Sequence, residues 1–181
     1  MAVKITSFVH GTTFDNEAGI SSGWKDVDIS EKGINQSIEL KAQIQDKKFD
    51  VVFYSDLKRA VHSANLTFFG TVPIIEDRRL RECNYGDFNG APSETVEPLQ
   101  EKFIEKGFPN GESYEDVKRR IADFLEFLKK NYDGKTVAIV VHKAPQLALD
   151  VLLKSKTWDQ AFAEDWRKTH SWQPGWEYVL P

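Results

Sequence analysis

The sequence predicts an α/β fold, with three α/β/α layers around a mostly parallel central sheet. Apolar runs of strand length alternate along the chain with segments in which apolar residues recur at helical spacing. Residues 51–53 are apolar without alternation, which is typical of a strand that is covered on both faces in a parallel sheet. Two of the predicted strands end on a histidine, and ligands of open α/β sheets bind at the carboxyl ends of the strands.

Size, charge and cysteine content narrow the class of protein. With 181 residues and 40% hydrophobic content, the chain can bury one good core, so we expect one domain over residues 1–181. A formal net charge of −4 gives no general attraction to nucleic acid or to an anionic membrane, and we expect neither as a partner. The single cysteine, Cys83, excludes an intramolecular disulfide and is typical of a reducing compartment. With no signal-peptide pattern at residues 1–9, we expect a cytoplasmic protein.

The first part of the chain predicts strand, helix and strand. Residues 3–9 alternate apolar and other side chains and lead into His10. Ser30 is the expected N-cap of a helix that ends near Lys47, because apolar residues recur there at intervals of four. The second strand is expected over 49–54. The sequence therefore places His10 at the carboxyl end of the first strand.

The next elements lead into an irregular region. Ser55 and Asp56 are expected to cap a helix whose inward face carries alanines and a phenylalanine. A short strand follows at 72–75. Residues 77–112 contain many charges, glycines and prolines without a sustained period, and so long an irregular insertion is usually functional.

The last part predicts a helix, the most hydrophobic strand, a second helix and an edge strand. A capping box at Ser113 begins a helix that Gly134 ends. The strand over 136–141 leads into His142, and a proline suits the first turn of the helix that follows it. The aromatic tail, residues 172–180, is expected to return as an edge strand.

Four chemistry-bearing residues are expected at one edge of the sheet. If the strands that lead into His10 and His142 are central and parallel, both imidazoles emerge together. Arg59 begins a helix directly after another strand, and Glu82 opens the irregular insertion. Each residue alone is more often a turn histidine, a solvated helix charge or a surface carboxylate, so the prediction depends on their joint occurrence.

Five motifs, in order and at compatible spacing, resemble those of the histidine phosphatase superfamily, the phosphoglycerate-mutase-like fold. The resemblance runs almost from end to end of the chain. The motifs are His10-Gly11-x-Thr13-x-x-Asn16, Tyr54-Ser55-Asp56-Leu57-x-Arg59-Ala60, Leu80-x-Glu82-x-x-Tyr85-Gly86 with Asn89-Gly90, Gly111-Glu112-Ser113, and Val140-Val141-His142.

The resemblance implies roles that physical chemistry supports. His10 would attack phosphorus with one ring nitrogen while a backbone carbonyl holds the proton on the other. Arg59 would bind phosphate oxygens, and a protonated His142 would donate to them. Glu82 would protonate the leaving oxygen and later accept a proton from water. This chemistry needs no metal and no cofactor.

Secondary contacts to the phosphate or to the rest of the substrate are expected from the loops around these four residues. The candidates are Thr13, Asn16, Ser22, Gly23 and Tyr85.

The chain departs from the family pattern at two positions. Val9 stands where the family has arginine before the first histidine, and Lys143 stands where a glycine usually follows the second. Losing a charged hydrogen-bond donor costs roughly 1.5–3 kcal/mol, or about ten- to a hundredfold in rate. We hypothesise that Lys143 partly replaces the missing arginine, and a solvated lysine at the start of a helix is the alternative.

The function predicted from the sequence is a metal-independent phosphatase that hydrolyses a small phosphorylated metabolite through a phosphohistidine. A phosphoglycerate-mutase-type phosphoryl transfer is the nearest alternative, and it is disfavoured because residues 77–112 hold few cations to clamp a second acidic group. A non-catalytic phospho-ligand-binding protein is the alternative that Val9 favours. An exposed edge strand and many aromatic residues permit a homodimer without requiring one.

Overall fold

The computed structural model describes residues 1–169 and 173–181 and contains a five-stranded, mostly parallel sheet. The strands of the described residues are β1 (Val3–Val9), β2 (Ile20–Ser21), β3 (Val51–Tyr54), β4 (Ile74–Glu76), β5 (Ala91–Pro92), β6 (Thr136–Val141) and β7 (Trp176–Leu180). β2 and β5 form a separate two-stranded sheet. The strand order in the main sheet is β4-β3-β6-β1-β7, and every neighbouring pair is parallel except β1 with β7. The five strands predicted from the sequence are confirmed, and the edge strand of the tail runs antiparallel to β1.

Helices cover both faces of this sheet. They are α1 (Phe14–Glu17), α2 (Glu31–Gln43), α3 (Lys58–Phe68), α4 (Ser93–Val96), α5 (Tyr114–Asn131), α6 (Lys143–Leu153), α7 (Trp158–Ala163) and α8 (Trp166–Thr169). Apolar residues of α2 and α3 pack on one face of the sheet, and those of α5 and α6 pack on the other. The predicted α/β fold, with a mostly parallel central sheet flanked by helices, is confirmed. No helix in the described part of the chain is long and apolar enough to cross a membrane.

The register of the two central strands brings the two predicted histidines side by side. β1 runs parallel to β6, and the last matched pair is Val9 with Val141. The backbone N–H of His10 donates to the carbonyl of Val141 at 3.1 Å. Because both strands end at the same level, the residues that follow them share one edge of the sheet.

Helix starts show where local sequence signals hold and where they fail. Ser113 caps α5 and forms a capping box with Asp116, as predicted. α3 instead has Leu57 as its N-cap, with no side-chain cap hydrogen bond. Asp56 pairs with an arginine of the insertion, and the Ser55 hydroxyl contacts His142 at 2.8 Å. Partners distant in sequence therefore displaced the capping that we predicted for Ser55 and Asp56.

The irregular insertion is confirmed as a series of short turns. Residues 77–112 contain 3₁₀ turns and the short elements β5 and α4. β5 pairs with β2, so the insertion is hydrogen-bonded to the loop that follows the first histidine motif. The insertion and this loop thus form the two walls above the edge of the sheet where the histidines lie.

Candidate active site

The two histidines meet at the carboxyl edge of the sheet, as predicted. The ring centroids of His10 and His142 are 4.9 Å apart, with the rings inclined at 56°. His10 is 9% exposed and His142 is fully buried. Two imidazoles at this distance can contact the same small anion.

The hydrogen bond of His10 defines which ring nitrogen carries the proton. Its Nδ1 lies 2.7 Å from the carbonyl oxygen of Gly11. A carbonyl only accepts, so Nδ1 is the protonated nitrogen and Nε2 keeps its lone pair. Burial, and then the charge of Arg59, hold the pKa of His10 well below its usual value. His10 is therefore a neutral imidazole at neutral pH, with a nucleophilic Nε2.

A hydrogen-bond chain runs from Ser55 through His142 to Arg59. Arg59 Nε donates to His142 Nδ1 at 3.2 Å, and His142 Nε2 lies 2.8 Å from the Ser55 hydroxyl. Since an arginine cannot accept, Nδ1 of His142 carries no proton and the ring donates to Ser55 through Nε2. Burial and the Arg59 charge lower the pKa of His142 well below its usual value. The donor role that the resemblance implies for His142 depends on its protonation, and the buried, positively charged surroundings favour the neutral ring.

The guanidinium of Arg59 is buried and held by the loop after β2. Its Nη2 donates to the carbonyl of Gly23 at 2.7 Å, and its Nη1 donates to that of Lys25 at 3.0 Å. Arg59 is 2% exposed, and burial lowers the pKa of its guanidinium from the ordinary value. The group stays positively charged, and two of its five N–H donors have no partner among the described residues.

Glu82 is the carboxylate of the site. Its Oε1 accepts from the backbone N–H of Cys83 at 2.8 Å and from that of Ala144 at 3.0 Å. Ala144 lies in the first turn of α6, two residues after His142, so the predicted carboxylate lies beside the second histidine. Oε2 has no hydrogen-bond partner among the described residues, which leaves one carboxylate oxygen available for proton transfer.

Ser63, which is not among the predicted site residues, positions the nucleophile. The Ser63 hydroxyl accepts from the backbone N–H of Gly11 at 2.9 Å and donates to the carbonyl of Arg59 at 2.7 Å. It connects the turn that holds His10 to the first turn of α3. A Cβ at Gly11 would lie 2.5 Å from the carbonyl oxygen of Gly33, so this close approach requires glycine. A serine one turn after Arg59 is the only sequence signal, and it is a weak one.

Lys143 does not replace the missing arginine as we hypothesised. Its ammonium is 2% exposed and lies 3.1 Å from Oδ2 of Asp165 and 3.9 Å from Oε1 of Glu97. Burial lowers the pKa of Lys143, and the Asp165 carboxylate opposes that effect. Its charge is already paired with a buried carboxylate, so the alternative of a solvated lysine is wrong as well.

Four of the predicted secondary contacts have other partners. Thr13 is fully buried and caps α1, and its capping box uses the Asn16 side chain. The buried Ser22 hydroxyl donates to Asp15 at 2.9 Å. The carbonyl of Gly23 accepts from Arg59. The hydroxyl groups of Thr13 and Ser22 are therefore used within the loops, and contacts of Asn16 and of the Gly23 amide with substrate stay predictions.

Tyr85, the remaining predicted contact, lies beside the site in an aromatic cluster. Its ring packs against Phe108 with centroids 5.2 Å apart, and the side chain is 5% exposed. Burial, and then the charge of Glu82, raise the pKa of its phenol well above the usual value. Tyr85 is thus a neutral donor next to Arg59, and its contact with substrate stays a prediction.

Burial of two neutral histidines makes stability depend on pH. In the unfolded chain each histidine binds a proton near pH 6.5, while the folded protein resists that protonation. We expect the free energy of unfolding to fall as the pH drops below about 6.5, by up to about 1.4 kcal/mol per pH unit for each histidine. Urea denaturation between pH 7.5 and 5.5 measures this slope. His10→Ala should reduce it by about half, and an unchanged slope in that variant would contradict the assignment.

Comparisons with known proteins agree with this geometry. Phosphoserine phosphatase 1 of Hydrogenobacter thermophilus is 29% identical over 159 residues, which is 81% of this chain and 74% of that protein. The 2,3-bisphosphoglycerate-dependent phosphoglycerate mutase of Cytophaga hutchinsonii is 30% identical over 149 residues, 74% of this chain and 68% of that protein. Among solved structures, Bacillus stearothermophilus YhfR has a similar fold, with a TM-score of 0.78 at 24% identity over 88% of this chain and 83% of that one.

The family assignment rests on the whole region that carries the site. The family model of the histidine phosphatase superfamily, branch 1, matches residues 9–174, which include all four motif residues at the edge of the sheet. His10, Arg59, Glu82 and His142 lie within that match and converge in the structure. The chain belongs to the histidine phosphatase superfamily, branch 1.

Proposed function

We propose that the protein is a phosphatase that hydrolyses the phosphate monoester of a small metabolite through a phosphohistidine at His10. The observation that carries the proposal is the 2.7 Å hydrogen bond between His10 Nδ1 and the Gly11 carbonyl. This bond leaves Nε2 unprotonated beside a buried guanidinium and a second imidazole. A weakly basic, neutral imidazole next to an anion-binding arginine is suited to nucleophilic attack on phosphorus.

In the first step, the lone pair of His10 Nε2 forms a bond to phosphorus. The bond between phosphorus and the ester oxygen breaks, and the departing oxygen takes a proton from Glu82, which enters this step as the carboxylic acid with its proton on Oε2. Arg59 stabilises the charge on the non-bridging oxygens. A phosphate dianion beside His142 favours the protonated imidazole, since a nearby negative charge raises the pKa of a histidine. The added proton is carried by Nδ1, so the hydrogen bond from Arg59 Nε is lost, and this N–H donates to the same oxygens.

In the second step, water attacks the phosphorus of the phosphohistidine. Glu82, now a carboxylate, accepts the proton of the water, and the bond between phosphorus and Nε2 breaks. Inorganic phosphate leaves and His10 returns to its neutral form. The chain's own residues supply the nucleophile, the charge stabilisation and both proton transfers, so we propose a reaction that needs no metal.

The insertion favours hydrolysis over a mutase reaction. Two of its three arginines are paired with carboxylates: Arg79 with Asp77 and Arg81 with Asp56. A mutase must hold a second acidic group of its substrate, and among the described residues only Arg78 of these three arginines has no carboxylate partner for that purpose. Water is therefore the proposed acceptor.

Phosphate release from p-nitrophenyl phosphate and from phosphoserine tests the proposal. We expect turnover of both esters in the presence of EDTA and without any bisphosphorylated primer. Turnover that appears only with such a primer would identify a mutase instead. Binding of inorganic phosphate without turnover of any ester would identify a phospho-ligand-binding protein.

A further inference from the structure

Val9 leaves the phosphate site without the arginine that the family motif has at that position. The half-buried Val9 side chain lines a cavity of about 360 Å³, together with His10 and Trp166. The cavity therefore extends from the nucleophile to the first residue of α8. A positively charged side chain of α8 could therefore take the place of the guanidinium that position 9 does not provide.

A buried ion pair holds the start of α8 beside the second histidine. Lys143, which directly follows His142, pairs with Asp165 at 3.1 Å, and both side chains are at most 2% exposed. The other oxygen of Asp165, Oδ1, accepts from the backbone N–H of Arg167 at 3.1 Å. The backbone of Arg167 is thus connected to the residue next to His142 through a single carboxylate.

The guanidinium of Arg167 lies against a ring that lines the cavity, and in the described part of the chain it has no anionic partner. Its Cζ lies 5.3 Å from the centroid of the Trp166 ring, which lines the cavity. No carboxylate among residues 1–169 and 173–181 forms an ion pair with it, because the nearby Asp165 is paired with Lys143. A half-buried arginine without a carboxylate can bind an anion from solution.

The charge of Arg167 acts on every member of the site's positive cluster. It contributes to lowering the pKa of His10 and of His142, and it also lowers the pKa of the Arg59 guanidinium. Charges in water are largely screened beyond about 8–10 Å. The two imidazoles and the Arg59 guanidinium therefore lie within the range over which the Arg167 charge acts.

We propose that Arg167 supplies the phosphate-binding guanidinium that Val9 removed from the first motif. The proposal rests on the phosphate site of the proposed function. It also assigns a role to the buried Lys143–Asp165 pair beside His142. α8 carries the charge, the ion pair anchors α8, and the Trp166 ring packs 6.0 Å from that of Trp176 in β7. The guanidinium of Arg167 would thus replace that of a residue far from it in the sequence.

Affinity for inorganic phosphate, measured by isothermal titration calorimetry on the full chain, tests this proposal. We expect Arg167→Ala to weaken phosphate binding about 10- to 100-fold, since a charged hydrogen bond is lost. Lys168→Ala removes the same charge from the next, exposed residue and is the matched control, with an affinity within about twofold of wild type. In the Val9→Arg/Arg167→Ala double variant, the restored guanidinium should recover most of the affinity.

Measuring the affinity for inorganic phosphate separates the role of Arg167 from the proposed phosphatase activity. Phosphate binding does not require turnover, so a wild-type protein that binds phosphate but hydrolyses no ester would refute the phosphatase and leave the comparison of variants valid. An Arg167→Ala protein with wild-type affinity would overturn the role of Arg167. An equal loss in Lys168→Ala would also overturn it, because the effect would then be general attraction rather than a built contact. Circular dichroism verifies that each variant is folded.

Discussion

Replacing His10 by alanine should reduce ester hydrolysis by on the order of 10⁴-fold or more, because the variant has no nucleophile to form the covalent intermediate. Phosphate binding should survive in large part, since Arg59 remains in its hydrogen-bonded position. Steady-state rates with p-nitrophenyl phosphate measure the loss. Rapid quenching with a ³²P-labelled ester should label the wild-type protein and leave the variant unlabelled. The label should be lost in acid and retained in alkali, as expected of a phosphorus–nitrogen bond.

His62→Ala is the matched control for this experiment. His62 is a partly exposed histidine that pairs with Asp28 at 3.0 Å and lies outside the site. We expect it to keep wild-type turnover and labelling. A His10→Ala protein that retains more than a tenth of wild-type turnover would show that another group attacks phosphorus and would refute the phosphohistidine mechanism.

Replacing Glu82 by glutamine should slow hydrolysis of an alkyl phosphate about 10²- to 10⁴-fold, because the leaving alkoxide then lacks its proton donor. A glutamine oxygen can still accept from the N–H groups of Cys83 and Ala144, so the loop keeps its position. Nitrophenol is a much stronger acid than an aliphatic alcohol, and its anion leaves without protonation. With p-nitrophenyl phosphate, the variant should therefore still release a rapid burst of one nitrophenolate per site. Slow turnover should follow, since water attack lacks its base.

Stopped-flow absorbance measures the burst, and Glu105→Gln is the control for loss of a carboxylate. Glu105 is exposed in the same insertion, and its variant should behave as wild type with both esters. Equal slowing of the first step with the alkyl and the aryl ester would contradict the assignment of Glu82 as the acid. The comparison of leaving groups thus separates proton donation from a general disturbance of the loop.

The paired Lys143 shows how a substitution at one position changes what its neighbours can do. The lysine adds a buried charge that must be compensated. Asp165 supplies the compensation, and α8 is held beside the site as a result. Breaking such a buried pair typically costs about 3–5 kcal/mol, so the two residues depend on each other. The proposed role of Arg167 would connect Lys143 with Val9.

Much of the fold followed from periodicity. The strands and the long helices were predicted because hydrophobic alternation and fourfold spacing report burial directly along the chain. The four site residues were predicted because parallel strands deliver their carboxyl ends to one edge. Neither argument applies to α7 and α8, which are too short to show a period. Trp172, the first residue of the expected tail strand, lies outside the described residues.

By itself, the sequence determined the strand and helix order, the meeting of His10 with His142 and the carboxylate of Glu82. Each of these is encoded by residues close together in the chain or by the common direction of parallel strands. Only the tertiary structure determined which partners the side chains of Thr13, Lys143 and the predicted helix-capping residues bind. The side chain of each polar residue binds whichever partner folding brings to it, and a buried ion pair such as Lys143–Asp165 joins residues that share no local pattern.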